Sequence, residues 1–219
     1  MSADGKIADY QRSAARFGSA ADKAHLQRQI AQVDGVLFGA GTLRAYHTTL
    51  TITDPDLLAQ RSQRNQSPQP IHLVCSASGN LDPHWRFFQQ PVSRWLLTTA
   101  QGALPWHNTT EFDQVLTLLS TPTPSKPSTN WPAILTTCYE LGLRTMAVLG
   151  GGQLVADLLQ ANVIDALALT LCPLLLGGDT APTPIDGPGF LAPFAPRLRL
   201  RSIETLANEV FVHYQVEPI

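Results

Sequence analysis

An α/β fold with a mixed sheet is what the order of elements predicts. Three observations carry that expectation. Short apolar, partly β-branched segments alternate with helical patterns for most of the chain, strands alone dominate its end, and two strands run through glycine turns directly into helices. With 219 residues, 44% hydrophobic and 15% charged, the chain is long enough to bury a sizeable core and reads as one domain over 1–219.

Ser19, with Asp22 three positions on, caps a helix whose Leu26, Ile30 and Val33 form one apolar face. Gly35-Val-Leu-Phe38 is a short strand, and Gly39-Ala-Gly41 turns the chain into a helical piece over 42–46. Asp54-Pro55 is a cap followed by a proline at the first helical position, opening a polar run to Gln69 that is half helix and half loop. Strands follow at 71–75 and 94–98, separated by Ser78-Gly-Asn80 and Asp82-Pro83. The Pro/Ser/Thr-rich stretch 121–130 is a surface loop.

Pro132 to Leu141 is a helix stopped by Gly142, and 144–149 is a strand. After Gly150-Gly-Gly152, Leu154, Val155, Leu158 and Leu159 form the apolar side of a helix that ends at Asn162, a residue tolerant of a left-handed cap. A strand over 164–171, an irregular Gly/Pro-rich segment over 177–196 and a terminal hairpin of 197–203 with 209–216 complete the chain. There is no internal repeat.

Composition excludes several classes. A net charge of −2 gives no basic excess for nucleic acid. The apolar run from Ala166 to Leu176 is broken by Thr170 and Pro173 and falls short of the roughly 20 residues that span a bilayer. No signal-peptide apolar region opens the chain, and Cys75, Cys138 and Cys172 are widely spaced, so reduced thiols in a cytosolic protein are expected. The histidines make no H-x-x-x-H pair, and neither the zinc-deaminase nor the G-x-S-x-G signature occurs.

What remains is the pair of strand–glycine–helix turns and Asp4-Gly5-Lys6. Each turn presents backbone N–H groups at a helix N-terminus, where an anion is favoured, although glycines equally permit a plain bend. Neither is a dinucleotide fingerprint, because Arg44 stands where a third glycine is needed and no glycine follows Gly152 in its helix. Asp4 and Lys6 flank a flexible glycine, an arrangement suited to gripping a polar ligand or to proton transfer, and equally to a simple turn.

Taken in order, Ser2-Ala-Asp-Gly-Lys-Ile-Ala8, Asp34-Gly-Val-Leu-Phe-Gly-Ala-Gly-Thr-Leu-Arg-Ala45, Val148-Leu-Gly-Gly-Gly-Gln-Leu154 and the run from Val163 to Gly178 resemble the reductase domain of riboflavin biosynthesis. That domain is the C-terminal part of bifunctional deaminase-reductases and has a dihydrofolate-reductase-like fold. The resemblance implies a mixed, mostly parallel sheet flanked by helices, a homodimer, and NADPH bound across the carboxyl ends of the strands. It implies cofactor contacts at Gly39, Gly41, Thr42, Ser76, Gly150, Gly151, Gly152, Gln153 and Leu154, with Arg16 facing the 2′-phosphate.

The implied reaction delivers hydride from NADPH to the ribose C1′ of a ribosylamino-pyrimidine, as in 5-amino-6-(5-phosphoribosylamino)uracil reductase. Asp4 is then expected to position polar groups and Lys6 to hold a substrate phosphate or supply a proton, without a deaminase activity. Three positions depart from the family pattern: Leu149 replaces an acidic residue, and Ile30 and Thr53 replace arginines, which weakens the case for the authentic phosphoribosyl substrate and leaves a ribosylamino-pyrimidine or a similar small heterocyclic or carbonyl substrate as the expectation. The alternative is a catalytically inactive nucleotide-binding sensor or partner protein of the same fold. The resemblance also implies an apolar strand just before the D-G-K motif, so that either the start lies upstream of Met1 or something else fills a gap in the sheet.

Overall fold

The computed structural model describes residues 1–117 and 129–217, so the loop expected at 121–130 lies outside the described residues as far as 128. The chain forms two compact units, one of Leu26–Gly150 and the other of Met1–His25 with Gly151–Ile219. Each is described in turn.

Helix α1 (Ala20–Ile30) starts where the sequence places its cap, the Ser19 hydroxyl accepting the N–H groups of Ala21 and Asp22 at 3.0 and 3.2 Å. It stops short of Val33. Its last residues belong to the unit of Leu26–Gly150, whose centre is a five-stranded parallel sheet. Strand β1 (Gly35–Gly39) leads into α2 (Ala40–Tyr46), and α3 (Pro55–Gln63) opens on Asp54, whose carboxylate accepts the N–H groups of Asp56 and Leu57. Strands β2 (Ile71–Cys75) and β3 (Arg94–Leu97) follow, then a short α4 (Ala100–Ala103), β4 (Gln114–Leu116), α5 (Trp131–Glu140) and β5 (Met146–Val148).

The strand order is β4-β3-β2-β1-β5. Being central, β1 is buried on both faces, which is why its sequence is a continuous apolar run rather than an alternation. Val36, Phe38, Val74, Leu96, Phe87 and Trp106 form the core with Ile30 and Leu43. Each such side chain contributes about 1.5–3 kcal/mol by leaving water. Strand β4 and α4 escaped the sequence reading, being three and four residues long with no periodicity to detect.

One buried cation secures the entry to β1. Arg61 is almost fully enclosed and donates to the carbonyls of Ala31, Val33 and Ser67 at 3.0, 2.8 and 2.7 Å, while Arg64 also donates to Ala31. The Ala31 and Val33 carbonyls lie just past α1, where a helix end leaves acceptors unpaired and favours positive charge.

The other unit contains α6 (Gly152–Gln160), β6 (Ala166–Leu171), β7 (Leu198–Leu206) and β8 (Glu209–Val216). The three strands form an antiparallel sheet in the order β6-β8-β7, giving the expected terminal hairpin. Ala207 and Asn208 turn it with positive φ at both residues, as a tight hairpin of native twist requires. Asn162 adopts the left-handed conformation just beyond α6, and Leu154, Leu158 and Leu159 are buried on its apolar side. The segment 177–196 is irregular apart from one short turn at Ala192–Phe194. The three cysteines are not joined in disulfides; Cys138 and Cys172 are buried and Cys75 is half-buried.

Candidate functional site

In an open parallel sheet, ligands settle at the carboxyl ends of strands where successive connections diverge to opposite sides. Here β2, β3 and β4 extend the sheet on one side of β1, whereas β5 pairs on the other. The divergence therefore lies between β1 and β5. The residues at its carboxyl end are Gly39 and Gly150, and the Gly39 N–H donates to the Gly150 carbonyl at 2.9 Å. Two glycine turns far apart in sequence thus meet at one place.

Gly39 is the N-cap of α2 and no side chain caps that helix, so the first amides of Ala40, Gly41 and Thr42 lack a side-chain acceptor. Gly41 is exposed, and a Cβ placed on it or on Gly150 meets nothing within 4 Å. Gly150 has φ +93, a conformation that only glycine adopts without strain. Thr42 is half-buried. On the other side of β1, Cys75 pairs with Gly39, and the next residue is Ser76. Its N–H donates to Leu97, but its buried Oγ has no hydrogen-bond partner. A buried hydroxyl without a partner is costly, and this one lies beside the open glycine turns.

The opposite end of β1 is a structural tie. The Asp34 carboxylate accepts from the Arg144 and Thr145 N–H groups, the Thr145 hydroxyl and the Gln66 amide, all at 3.0 Å. Burial alone raises its pKa, but those donors outweigh it and hold the group below the usual carboxylate value. Although Asp34 opens one of the matching motifs, its work is to fasten strands.

In the other unit, the segment 2–8 is laid along 172–182. Ser2 bridges Cys172, Ala3 donates to Leu174, and Ile7 donates to Pro182. Gly5 has φ +83, which lets the turn bring the Ser2 hydroxyl to the Lys6 N–H at 2.8 Å. Asp4 accepts from the N–H groups of Leu176 and Gly177 at 3.1 and 2.6 Å. The Ser2 hydroxyl first, and then those two amides, lower its pKa to about 2. Asp4 is therefore ionised at neutral pH and holds a backbone segment; it has no proton to give.

Lys6 donates to the Ala181 carbonyl at 3.2 Å and lines a cavity of about 450 Å³. That volume suits a small polar ligand, within the roughly 300–1,000 Å³ of binding clefts. Arg12, Asp179, Thr183 and Asp186 also line it, together with the exposed Gln153. Sequence reasoning missed these four, because Arg12 acquires its place through a left-handed backbone at φ 60 and the others sit in the irregular segment 177–196. The only signal available was acidic residues and hydroxyls inside a Gly/Pro-rich stretch.

Gly151 is the N-cap of α6 in extended conformation, again with no side-chain cap. Gly152 has a different reason to be glycine. A Cβ there meets the Thr183 carbonyl at 2.2 Å and the Asp186 carboxylate at 3.0 Å, so the segment 183–186 packs directly on the backbone. Leu154 is buried, and Arg16 is exposed in the irregular segment ahead of α1.

The three departures have structural occupations. Leu149 packs against the core and donates its N–H to Leu37 at 2.8 Å, Ile30 is fully buried, and the Thr53 N–H donates to the Gln27 side chain at 2.7 Å. Among the described residues no group of three or more His, Cys, Asp or Glu is placed to hold a metal ion.

Comparison with known proteins adds an independent line. The profile of a family described as the RibD C-terminal domain matches residues 1–212. A 2,5-diamino-6-ribosylamino-4(3H)-pyrimidinone 5′-phosphate reductase of Archaeoglobus fulgidus is 26% identical over 94% of this chain and 90% of its own length. The protein of the same name from Methanothermobacter thermautotrophicus is 23% identical over 99% of this chain and 95% of its own. Among solved structures, a pyrimidine reductase-like protein of Corynebacterium diphtheriae superposes with a TM-score of 0.77 at 19% identity, covering all of this chain and 90% of that one. That likeness establishes the fold.

Proposed function

The chain belongs to the RibD C-terminal domain family, and from that premise we propose that it is an NADPH-dependent reductase of a ribosylamino-pyrimidine phosphate or a closely similar heterocycle. The observation that carries the reading is the buried, unpartnered Ser76 hydroxyl beside the open glycine turns at the switch point between β1 and β5. The donor set fits a nucleotide phosphate. Gly41 and Thr42 offer amides and a hydroxyl, Ser76 offers a second hydroxyl, Gly39 sets the turn with its own N–H on the Gly150 carbonyl, and Gly150 leaves room for close approach. Gly151, Gly152, Gln153 and Leu154, which continue the chain from Gly150, are proposed as further cofactor contacts, and Arg16 as a partner for the 2′-phosphate. The two units together are proposed to make one reductase domain.

The cofactor supplies hydride, and the chain supplies position and charge. Lys6 and Arg12 are proposed to hold the substrate phosphate, since both line the 450 Å³ cavity. Asp179 and Asp186 face the same cavity and can accept hydrogen bonds from the amino groups of a pyrimidine. Asp4 keeps 176–177 in place through its two backbone bonds, fixing the segment that presents Ala181 to Lys6. Because Asp4 stays ionised, a proton for the ring-opened product comes from Lys6 or from water. Leu149, in the place of an acidic residue, provides no charge for the pyrimidine, so the carboxylates of 179 and 186 are the proposed readers instead.

The relatives are named for 2,5-diamino-6-ribosylamino-4(3H)-pyrimidinone 5′-phosphate, which makes that compound the first substrate to try. NADPH is titrated into the protein while nicotinamide fluorescence is followed; absence of binding up to about 100 μM, well inside the usual range of cofactor affinities, overturns the reductase reading. Where NADPH binds, its oxidation on adding the pyrimidinone phosphate establishes catalysis. Binding without oxidation of any pyrimidine or carbonyl substrate favours the nucleotide-binding sensor.

A further inference from the structure

The start of helix α1 and the middle of strand β8 bring together two histidines that the reductase reading leaves unused. His25 and His213 face each other with their Nε2 atoms 3.1 Å apart and their ring planes crossed at 72°. Both lie in the unit of Met1–His25 with Gly151–Ile219. His25 is buried and packs on Phe211 with ring centroids 4.5 Å apart. Glu209, on the same strand as His213, accepts from the Ser19 N–H at 2.9 Å and from the Ser19 hydroxyl. The helix is thus moored to the strand that carries the second ring, and both imidazoles stand on fixed backbone.

One neutral ring donating through Nε2–H to the other satisfies such a pair, and as a packing contact it needs nothing more. The surroundings give it a further use. Register places Ala168 of β6 and Ser202 of β7 beside His213 on the same face of the sheet. Both are small and exposed, and His213 is itself half-buried, so one side of the pair is open to solvent. Two nitrogens bound at about 2.0–2.1 Å to a tetrahedral ion are roughly 3.3–3.4 Å apart. Rings already at 3.1 Å need only part slightly and tilt toward the ion. An anion is a poorer fit, because it calls for two imidazolium charges at that separation. Nor does β7 select one: it sets Arg199 opposite Gln215 and Glu204 opposite Phe211, charges of both signs.

We propose that His25 and His213 form a two-histidine site for a divalent transition-metal ion of the zinc and nickel kind, with water as its remaining ligands. Neutral imidazole is the donor these ions favour. Coordination uses both rings as Nδ1–H tautomers: the donating ring's proton moves from Nε2 to Nδ1, and each Nε2 lone pair goes to the ion. With two protein ligands the site falls short of the three or four that fix a catalytic or structural zinc, so occupancy follows the free ion concentration. When bound, the ion clasps α1 onto β8 and adds its binding free energy to stability. The inference stands apart from the reductase reading and does not depend on it.

Calorimetric titration and thermal melts with zinc and nickel chlorides test the site, with magnesium chloride as the hard-cation control. At about 100 times the dissociation constant, zinc should raise Tm by roughly 5–10 °C. Magnesium should leave it unchanged. His213→Gln keeps a donor for the His25 ring but removes one ligand, so zinc affinity should fall at least about 100-fold, beyond the cost of losing a second-shell partner. His25→Gln repeats the test from the helix; should it unfold, His213→Gln, at a half-buried position, decides alone. His84→Gln, at an exposed histidine bonded to Asp82, should bind zinc as the wild type does. No heat and no Tm shift with zinc or nickel, an equal response to magnesium, wild-type affinity in folded His213→Gln, or loss of binding in His84→Gln each overturns the site. NADPH binding by a protein that takes up no zinc would leave the reductase reading intact while removing this one.

Discussion

Ser76→Ala should improve the protein without ligand and impair it with one. In the free protein the Ser76 Oγ is buried and unpaired, a state that costs about 1–3 kcal/mol relative to a hydroxyl in water. Alanine removes one oxygen and leaves little void, so a net gain of about 1 kcal/mol is expected, or roughly 2–4 °C in Tm for a chain of this size. With cofactor, the same hydroxyl is the proposed donor to a phosphate oxygen. A hydrogen bond to a charged group contributes about 1.5–3 kcal/mol, so its loss raises Kd by roughly 10- to 150-fold. Thermal melts with and without NADPH, beside a fluorescence titration, read both signs in one preparation. The stabilisation by a fixed NADPH concentration should shrink even though the unliganded melt rises. A variant that melts lower than wild type when unliganded and keeps the wild-type Kd refutes the argument, since the hydroxyl would then be satisfied within the protein.

Gly151→Asp puts a favourable cap on α6 but a carboxylate beside the proposed phosphate contacts; unchanged stability by melting with at least a 100-fold loss of NADPH affinity is expected, about 3 kcal/mol of repulsion. Arg61→Met leaves the carbonyls of Ala31, Val33 and Ser67 short of donors and should cost about 2–4 kcal/mol in urea denaturation. Glu209→Ala strands the Ser19 N–H and hydroxyl at the start of α1, where a loss of about 2–4 kcal/mol is expected by the same measurement. His72 is buried, and burial first, with the nearby Arg94 second, pushes its pKa from 6.5 to about 4. The unfolded chain therefore binds the proton more readily, so stability is full above pH 6.5 and falls as pH drops through the window to about 4, by about 3 kcal/mol in all. His72→Phe should flatten denaturation midpoints across that window; an unchanged slope would put the dependence on another group.

Much of the fold was legible because its elements carry local signals. Ser19 and Asp54 announce α1 and α3 through their side-chain caps, and Ala207-Asn208 sits between two alternating runs. What escaped detection lacks periodicity: β4 is three residues long, and α4 is four. The site was legible in part. The glycine turns stand out in the sequence, but their meeting through the Gly39 N–H and Gly150 carbonyl is a property of strand order. That Asp4 accepts from the amides of Leu176 and Gly177 could not be read from Asp4-Gly5-Lys6 alone, because those amides lie 172 and 173 residues away in the chain. Arg12 and Asp186 could not be chosen from their neighbours, since a left-handed residue and a backbone-packed loop are consequences of folding.

The same contrast accounts for the glycine turns, proposed to hold the cofactor, keeping the family's pattern while the departures fall elsewhere. At Gly41 and Gly150 the proposed contacts are backbone amides and open space, which many sequences can provide so long as the turns stay glycine. Substrate recognition by an acidic residue and two arginines depends on particular side chains, and here those positions are committed otherwise: Ile30 and Leu149 to packing, Thr53 to the Gln27 amide. Restoring one such charge alone should not restore the family's substrate pattern. Ile30→Arg, for example, places a guanidinium in a fully enclosed site without a carboxylate, which costs stability before it can bind anything. The charges lining the 450 Å³ cavity lie in loops, where they can vary without disturbing the core. That is where substrate choice in this chain is expected to reside.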